Sequence, residues 1–291
     1  MTGVALDSKR LVKVRVAALV ELRGRGALRV SARDTAGLRS HAVHRLATAA
    51  VALQRMAEGR AEIRGRRVAV VGASLSAGVG GKPLAVLLKM ALPADAVVVN
   101  CADMFTYERP QSKTGDQIRR AQEAQADVIL ALDMLFWFAY HNRTAEAKRA
   151  YVDSALKVLD RVKVPLLLGD LPDMRSASEI LIPRSNLPSA KLLRELNLRI
   201  RAWARARLNV HVLPFAAWAK PLLSKGRIVL VPSRPPIPAR EALHLDGLHP
   251  NGKGALYLLN LTFGEIHRAF PRTSKKRFRV TPQLIELLLK L

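Results

Sequence analysis

Apolar positions follow two rhythms along this chain. Short apolar runs of four to six residues, bounded by glycine or polar residues, alternate with stretches of ten to eighteen residues in which apolar positions recur every three or four. The short runs predict strands over 68–71, 96–99, 127–132, 164–168 and 209–213. The longer stretches predict helices over 82–91, 114–126 (with Ile118, Ala121 and Ala124 on one side), 145–162, 190–207 and 252–269. Strands alternating with helices imply βαβ units and a mostly parallel sheet. Strands that are apolar throughout are those covered by helices on both faces. The expected class is therefore α/β, built on a mostly parallel five-stranded sheet.

In such sheets chemistry gathers outside the carboxyl ends of the strands. The polar residues that follow the strands are Ser74, Asp103, Asp133, Asp170 and Asp173. Four carboxylates at one edge could hold a hard cation through oxygen ligands. Capping of helices or pairing with the many arginines is the favoured reading. His141, His211, His244 and His267 show no metal-ligand spacing, so no metal or cofactor is expected. The proline-rich segment 222–243 reads as a surface excursion near the site. Leu135-Phe136-Trp137-Phe138 reads as core or pocket wall, and beside the site it would line an apolar acyl pocket.

The flanks carry less pattern. Residues 1–65 form a basic, alanine- and arginine-rich leader, expected to be peripheral or partly disordered, with one possible helix over 41–62. The body is expected over 66–270 and a basic tail over 271–291, ending in a leucine-rich helix over 282–291. With 291 residues, 49% of them hydrophobic, the chain can build one sizeable core. Its one cysteine, Cys101, excludes an intrachain disulfide and fits either a reducing or an oxidising compartment. The formal net charge of +25 raises nucleic acid or an anionic membrane as partners. The basic residues are dispersed, clusters such as Ser274-Lys275-Lys276-Arg277 are short, and aromatics make up only 5%, so ordinary solvated faces are favoured and nucleic acid is not the expected partner. No apolar run approaches the roughly 18 residues of a transmembrane segment. The leader gives no clean address. A cytoplasmic location is favoured, with export the alternative if synthesis starts downstream of Met1.

Two segments carry the chemistry. Gly72-Ala73-Ser74-Leu75-Ser76-Ala77-Gly78 follows the first strand and places Ser74 at the carboxyl edge of the sheet, where turn N–H groups can meet a developing oxyanion. It is neither the G-x-S-x-G elbow, since position 76 is serine, nor a phosphate-binding P-loop, since Pro83 follows Gly81-Lys82. Asp246-Gly247-Leu248-His249-Pro250-Asn251 precedes the last long helix. There a carboxylate can accept from His Nδ1–H and leave Nε2 free to take a proton from a serine. An incidental histidine in a helix-start loop is the alternative, and it weakens once Ser74 is placed on the same sheet edge.

Together, in this order and across about residues 66–270, the two segments resemble the SGNH/GDSL hydrolase family, whose first block is Gly-Asp-Ser-(Leu/x)-Ser and whose last is Asp-x-x-His-Pro. The resemblance implies a flavodoxin-like three-layer α/β/α sandwich. It also implies hydrolysis of ester bonds through an acyl-serine intermediate, with Ser74 as nucleophile, His249 as base and Asp246 orienting it. The substrate would be a small-molecule, glycan or lipid ester.

Three positions depart from the family pattern. Ala73 replaces the aspartate of the first block. Asn100-Cys101-Ala102-Asp103 lacks the second-block glycine, although a main-chain N–H of Ala102 or Asp103 would serve equally as donor. Asp133 stands where the third block has its oxyanion-hole asparagine. An ionised carboxylate has no donor to offer, and losing one donor costs about 10²–10³ in kcat. The oxyanion-hole candidates are thus Ser74, Ala102, Asp103, Asp133 if burial keeps it protonated, and Asn142 from a nearby loop. A diverged, catalytically weak or inactive binding protein of the same fold is the alternative.

Overall fold

The computed structural model describes residues 67–224, 226–270 and 278–290. The leader over 1–65, its helix over 41–62 and the basic cluster at 274–277 lie outside the described residues.

The apolar runs form five strands, β1 (Arg67–Val70), β2 (Val97–Asn100), β3 (Val128–Ala131), β4 (Leu166–Gly169) and β5 (Val210–Leu213). They pair in the order β2-β1-β3-β4-β5, and every pairing is parallel. This is the flavodoxin-like order, with its switch point between β1 and β3. Between and after the strands run α1 (Ser74–Ala77), α2 (Leu84–Ala91), α3 (Pro110–Glu123), α4 (Phe136–Ala139), α5 (Ala145–Leu159), α6 (Ala190–Arg205), α7 (Phe215–Leu223), α8 (Gly252–Ala269) and α9 (Pro282–Lys290).

Side chains alternate across each strand and so feed two cores. Val68 and Val70 of β1, with Val128 and Leu130 of β3, pack against α2, α7, α8 and α9. Ala69 of β1, with Ile129 and Ala131 of β3, packs against α3, α5 and α6. The result is the three-layer α/β/α sandwich with a parallel five-stranded sheet. β1, β3 and β4 are buried almost throughout, whereas the edge strands β2 and β5 are part-exposed and depart from the expectation of uniformly covered strands.

Other departures have local causes. α2 starts at Leu84 because Pro83 occupies its N-cap position. α3 starts at Pro110, four residues ahead of the apolar pattern, because its first turn is polar and begins with a proline suited to a first helical position. α7 was hidden by Pro221, which falls in its last turn. The segment 222–243 is only in part a surface excursion near the site: residues 232–236 are exposed, but it also carries the antiparallel pair β6 (Arg227–Ile228) and β7 (Ile237–Pro238), and it buries Leu230, Val231, Ala239 and Ala242.

The start of α8 ties the loop ahead of it to the body. Asn251 is its N-cap, and its Oδ1 accepts from the N–H of Lys253 at 3.0 Å and of Gly254 at 3.3 Å. Its Nδ2 donates to the carbonyls of Glu241 and Leu243 at 2.9 and 3.2 Å. One side chain therefore fixes both the helix start and the chain entering the 244–250 turn. Replacing Asn251 by Ala is expected to cost about 1–2 kcal/mol in a urea unfolding titration, the upper part of the range for lost N-caps. An unchanged midpoint contradicts this role.

Candidate functional site

Ser74 is delivered by a turn in which nearly every polar group is committed. Gly72 leaves β1 with φ of +152°, and its N–H donates to Gln117 Oε1 at 2.6 Å. A Cβ at this position would lie 2.1 Å from Asp133 Oδ1, so only glycine fits. The Gly72 carbonyl accepts from Asp103 N–H at 3.1 Å and from the Thr106 hydroxyl at 3.3 Å. α1 then begins at Ser74 and ends after one turn at Gly78, which is left-handed with φ of +89°.

The N-cap of α1 is Ala73, which has no side-chain oxygen to offer. Asp133, arriving from the end of β3, supplies the cap from outside. Its Oδ1 accepts from Ala73 N–H at 3.0 Å and from the Ser76 hydroxyl at 2.5 Å. Its Oδ2 accepts from the N–H groups of Leu75 at 3.0 Å and Ser76 at 3.3 Å. Asp133 is buried, as is Ser76. Burial pushes the Asp133 carboxyl above its usual range, against the pull of these hydrogen bonds. In either protonation state both oxygens are engaged by the turn, and neither points a donor at a substrate. Ala73 lacks a capping side chain and Asp133 supplies one, so the cap of α1 comes from the end of a neighbouring strand.

On the other side of Ser74 lies the 246–249 turn. Ser74 Oγ is 3.0 Å from His249 Nε2, and His249 Nδ1 is 2.7 Å from Asp246 Oδ2. Asp246 Oδ1 accepts from the N–H groups of Leu248 and His249 at 2.8 and 2.9 Å, which fixes the carboxylate against the turn it belongs to. Gly247 has φ of +65°, a left-handed corner that lets the chain bring Asp246 back under His249. Partial burial would raise the Asp246 carboxyl, but hydrogen bonds from the His249 ring and the two N–H groups outweigh it and hold the carboxyl below its ordinary value. An ionised Asp246 selects the His249 tautomer with its proton on Nδ1 and leaves Nε2 as an acceptor facing the hydroxyl.

The remaining sequence candidates fall elsewhere. The Ala102 N–H is bonded to Asn100 Oδ1 at 3.2 Å, and the Asp103 N–H is spent on Gly72. The Asp103 carboxylate caps Phe105 and pairs with Lys113 at 2.7 Å. Asn142 is exposed in the turn between α4 and α5, and it is not among the residues lining the cavity at Ser74. The Ser74 N–H has no hydrogen-bond partner among the described residues. Asp170 accepts from Ala216 N–H and Arg201, both close to 2.5 Å, while Asp173 pairs with Arg175. The four strand-end carboxylates thus serve four separate partner sets.

Ser74 and His249 open on a cavity of about 60 Å³ whose walls are mostly apolar, including Phe136, Met174, Leu222, Leu223 and Leu248. Phe136 accordingly lines the site, whereas Leu135 and Phe138 of the same aromatic run are core residues. Pattern reading overlooked Ser76 and Gln117, which hold the turn. The second serine of Ala73-Ser74-Leu75-Ser76 was the available signal for the first, and Gln117 carried none.

No protein-family model matches the chain, and no curated protein does. A solved structure named "a putative platelet activating factor from Streptococcus pneumonia" is similar over 79% of this chain and 100% of its own, with a TM-score of 0.42 and 11% sequence identity.

Asp133→Asn places an NH₂ group against N–H donors and is expected to cost about 1–3 kcal/mol of stability by denaturant titration. A neutral or stabilising outcome contradicts the capping role. Because the folded pKa of Asp246 lies below its unfolded value of about 3.9, its contribution is complete above that pH and lost as pH falls through the folded value. The stability gap between wild type and Asp246→Asn is therefore expected to shrink between pH 5 and pH 2 in urea midpoints. A gap that stays constant contradicts the assignment.

Proposed function

We propose that this protein is a serine-dependent hydrolase of ester bonds, a diverged member of the SGNH/GDSL hydrolases acting through an acyl-serine intermediate. One observation carries the reading: an unbroken hydrogen-bonded line from the Ser74 hydroxyl through both ring nitrogens of His249 to the Asp246 carboxylate.

In this reading Ser74 Oγ attacks the ester carbonyl carbon while His249 Nε2 takes the hydroxyl proton. Asp246 holds the imidazolium in place without itself taking the proton. The tetrahedral intermediate collapses, the C–O bond to the alcohol breaks, and His249 returns its proton to the departing oxygen. Water then repeats the sequence: His249 removes one proton, the hydroxide adds to the acyl carbon, and Ser74 leaves with the proton restored. No cofactor is required for these steps.

Oxyanion stabilisation falls to main-chain donors. The Ser74 N–H is unengaged among the described residues, whereas the Ala102 N–H is bonded to the Asn100 side chain. With Asp133 committed to the turn, the asparagine donor of the family pattern has no counterpart here. A missing donor costs about 10²–10³ in kcat, so turnover is expected to be slow for an enzyme of this kind. The second reading, a weak or inactive binding protein, draws on the same observation.

Short-chain p-nitrophenyl esters test the proposal. Wild type is expected to turn over p-nitrophenyl butyrate above background, Ser74→Ala and His249→Ala to abolish this, and Asp246→Asn to lower kcat by up to about 10⁴. Equal rates for wild type and Ser74→Ala would falsify it.

A further inference from the structure

We infer that Leu75 is a partition that confines the acyl group of the substrate to a short chain by closing off the larger cavity behind it. The inference rests on the ester-hydrolase reading of Ser74.

Two cavities meet at Leu75. The first contains Ser74 and His249 and measures about 60 Å³. The second measures about 310 Å³ and lies toward α2 and α9, with Leu84, Leu87 and Leu288 in its walls and Lys82 among its lining residues. Leu75, Pro250 and Leu258 line both, so these three side chains form the wall between them. The larger space includes neither Ser74 nor His249 among its lining residues.

A single water needs about 10–15 Å³ of such space, so the cavity at the nucleophile holds on the order of four to six waters. A methylene group takes up space similar to a water, so the cavity accepts a short acyl chain, whereas the seven carbons beyond the carbonyl of an octanoyl group exceed it. Its walls do not give easily. Met174, Phe215, Leu222 and Leu258 are each less than a tenth exposed and belong to the packed interior. The walls are also mostly apolar, which matches a hydrocarbon acyl group and disfavours a charged one. Leu75 is the movable part of this wall. Its N–H is anchored by Asp133, while its side chain is only partly buried. Shortening it removes the divider without disturbing the hydrogen bonds of the turn, and the larger cavity then becomes continuous with the chamber.

The test compares p-nitrophenyl acetate, butyrate and octanoate on wild type, Leu75→Ala and Leu258→Ala, the last opening the same wall from α8. Wild type is expected to favour butyrate over octanoate in kcat/KM by about tenfold or more. Either opened variant is expected to bring that ratio close to one. A second arm measures binding of methyl butyrate and methyl octanoate by calorimetry to Ser74→Ala and to the Ser74→Ala/Leu75→Ala double variant. Butyrate alone should bind the first, and both should bind the second. Efficient octanoate hydrolysis by wild type, or an unchanged ratio in both folded variants, overturns the partition. Absent ester turnover with the expected binding pattern overturns the hydrolase reading and leaves the chamber standing.

Discussion

The carboxylate of Asp133 sits in the interior at the edge of the sheet, where a charge without partners would cost several kcal/mol, and it meets four donors from a single turn. That convergence fixes the geometry of everything after β1. The turn cannot open without stranding a buried acceptor, and Asp133 cannot withdraw without stranding the N–H groups of a helix start. Gly72 is the steric counterpart of the same constraint, since any side chain there would collide with the carboxylate. Ser74 inherits its position from this mutual dependence and makes no hydrogen bond to Asp133 itself.

The partner side is built differently. His249 and Asp246 lie on one short turn, and their mutual orientation comes from local hydrogen bonds to the N–H groups of Leu248 and His249. Asn251 then joins that turn to α8 and to the carbonyls of Glu241 and Leu243. Across 175 residues of sequence separation, the two turns meet at a 3.0 Å contact between Ser74 Oγ and His249 Nε2. The contact therefore depends on how β1 and the start of α8 are set by the layers of the sandwich.

Much of this was legible in the sequence, because the features that set it are local. Five apolar runs gave the strands, and α8 was bounded correctly by Asn251 and Gly252 at one end and Ala269 at the other. The Asp246/His249 spacing was readable because a turn of that length brings the two side chains together without help from elsewhere. Less local features were not. Pro221 masked α7, and the prolines of 222–243 concealed a packed segment that reaches the core. The role of Asp133 was the least accessible. Position by position it reads as the wrong residue for a donor, and Ala73 only as a departure from the resembled pattern. Only the pairing of β1 with β3 shows that one supplies what the other lacks. Gln117 was silent for a similar reason: its bond to Gly72 spans 45 positions and depends on how α3 packs on the sheet.

The central claim is that Ser74 is an activated nucleophile held by these two turns. Treatment of the native protein with a fluorophosphonate, followed by peptide mass mapping, tests it most directly. The account predicts a single covalent adduct on Ser74, lost in His249→Ala and on unfolding in urea. An unlabelled protein, or a label on Ser76 or another serine with Ser74 unmodified, would contradict it.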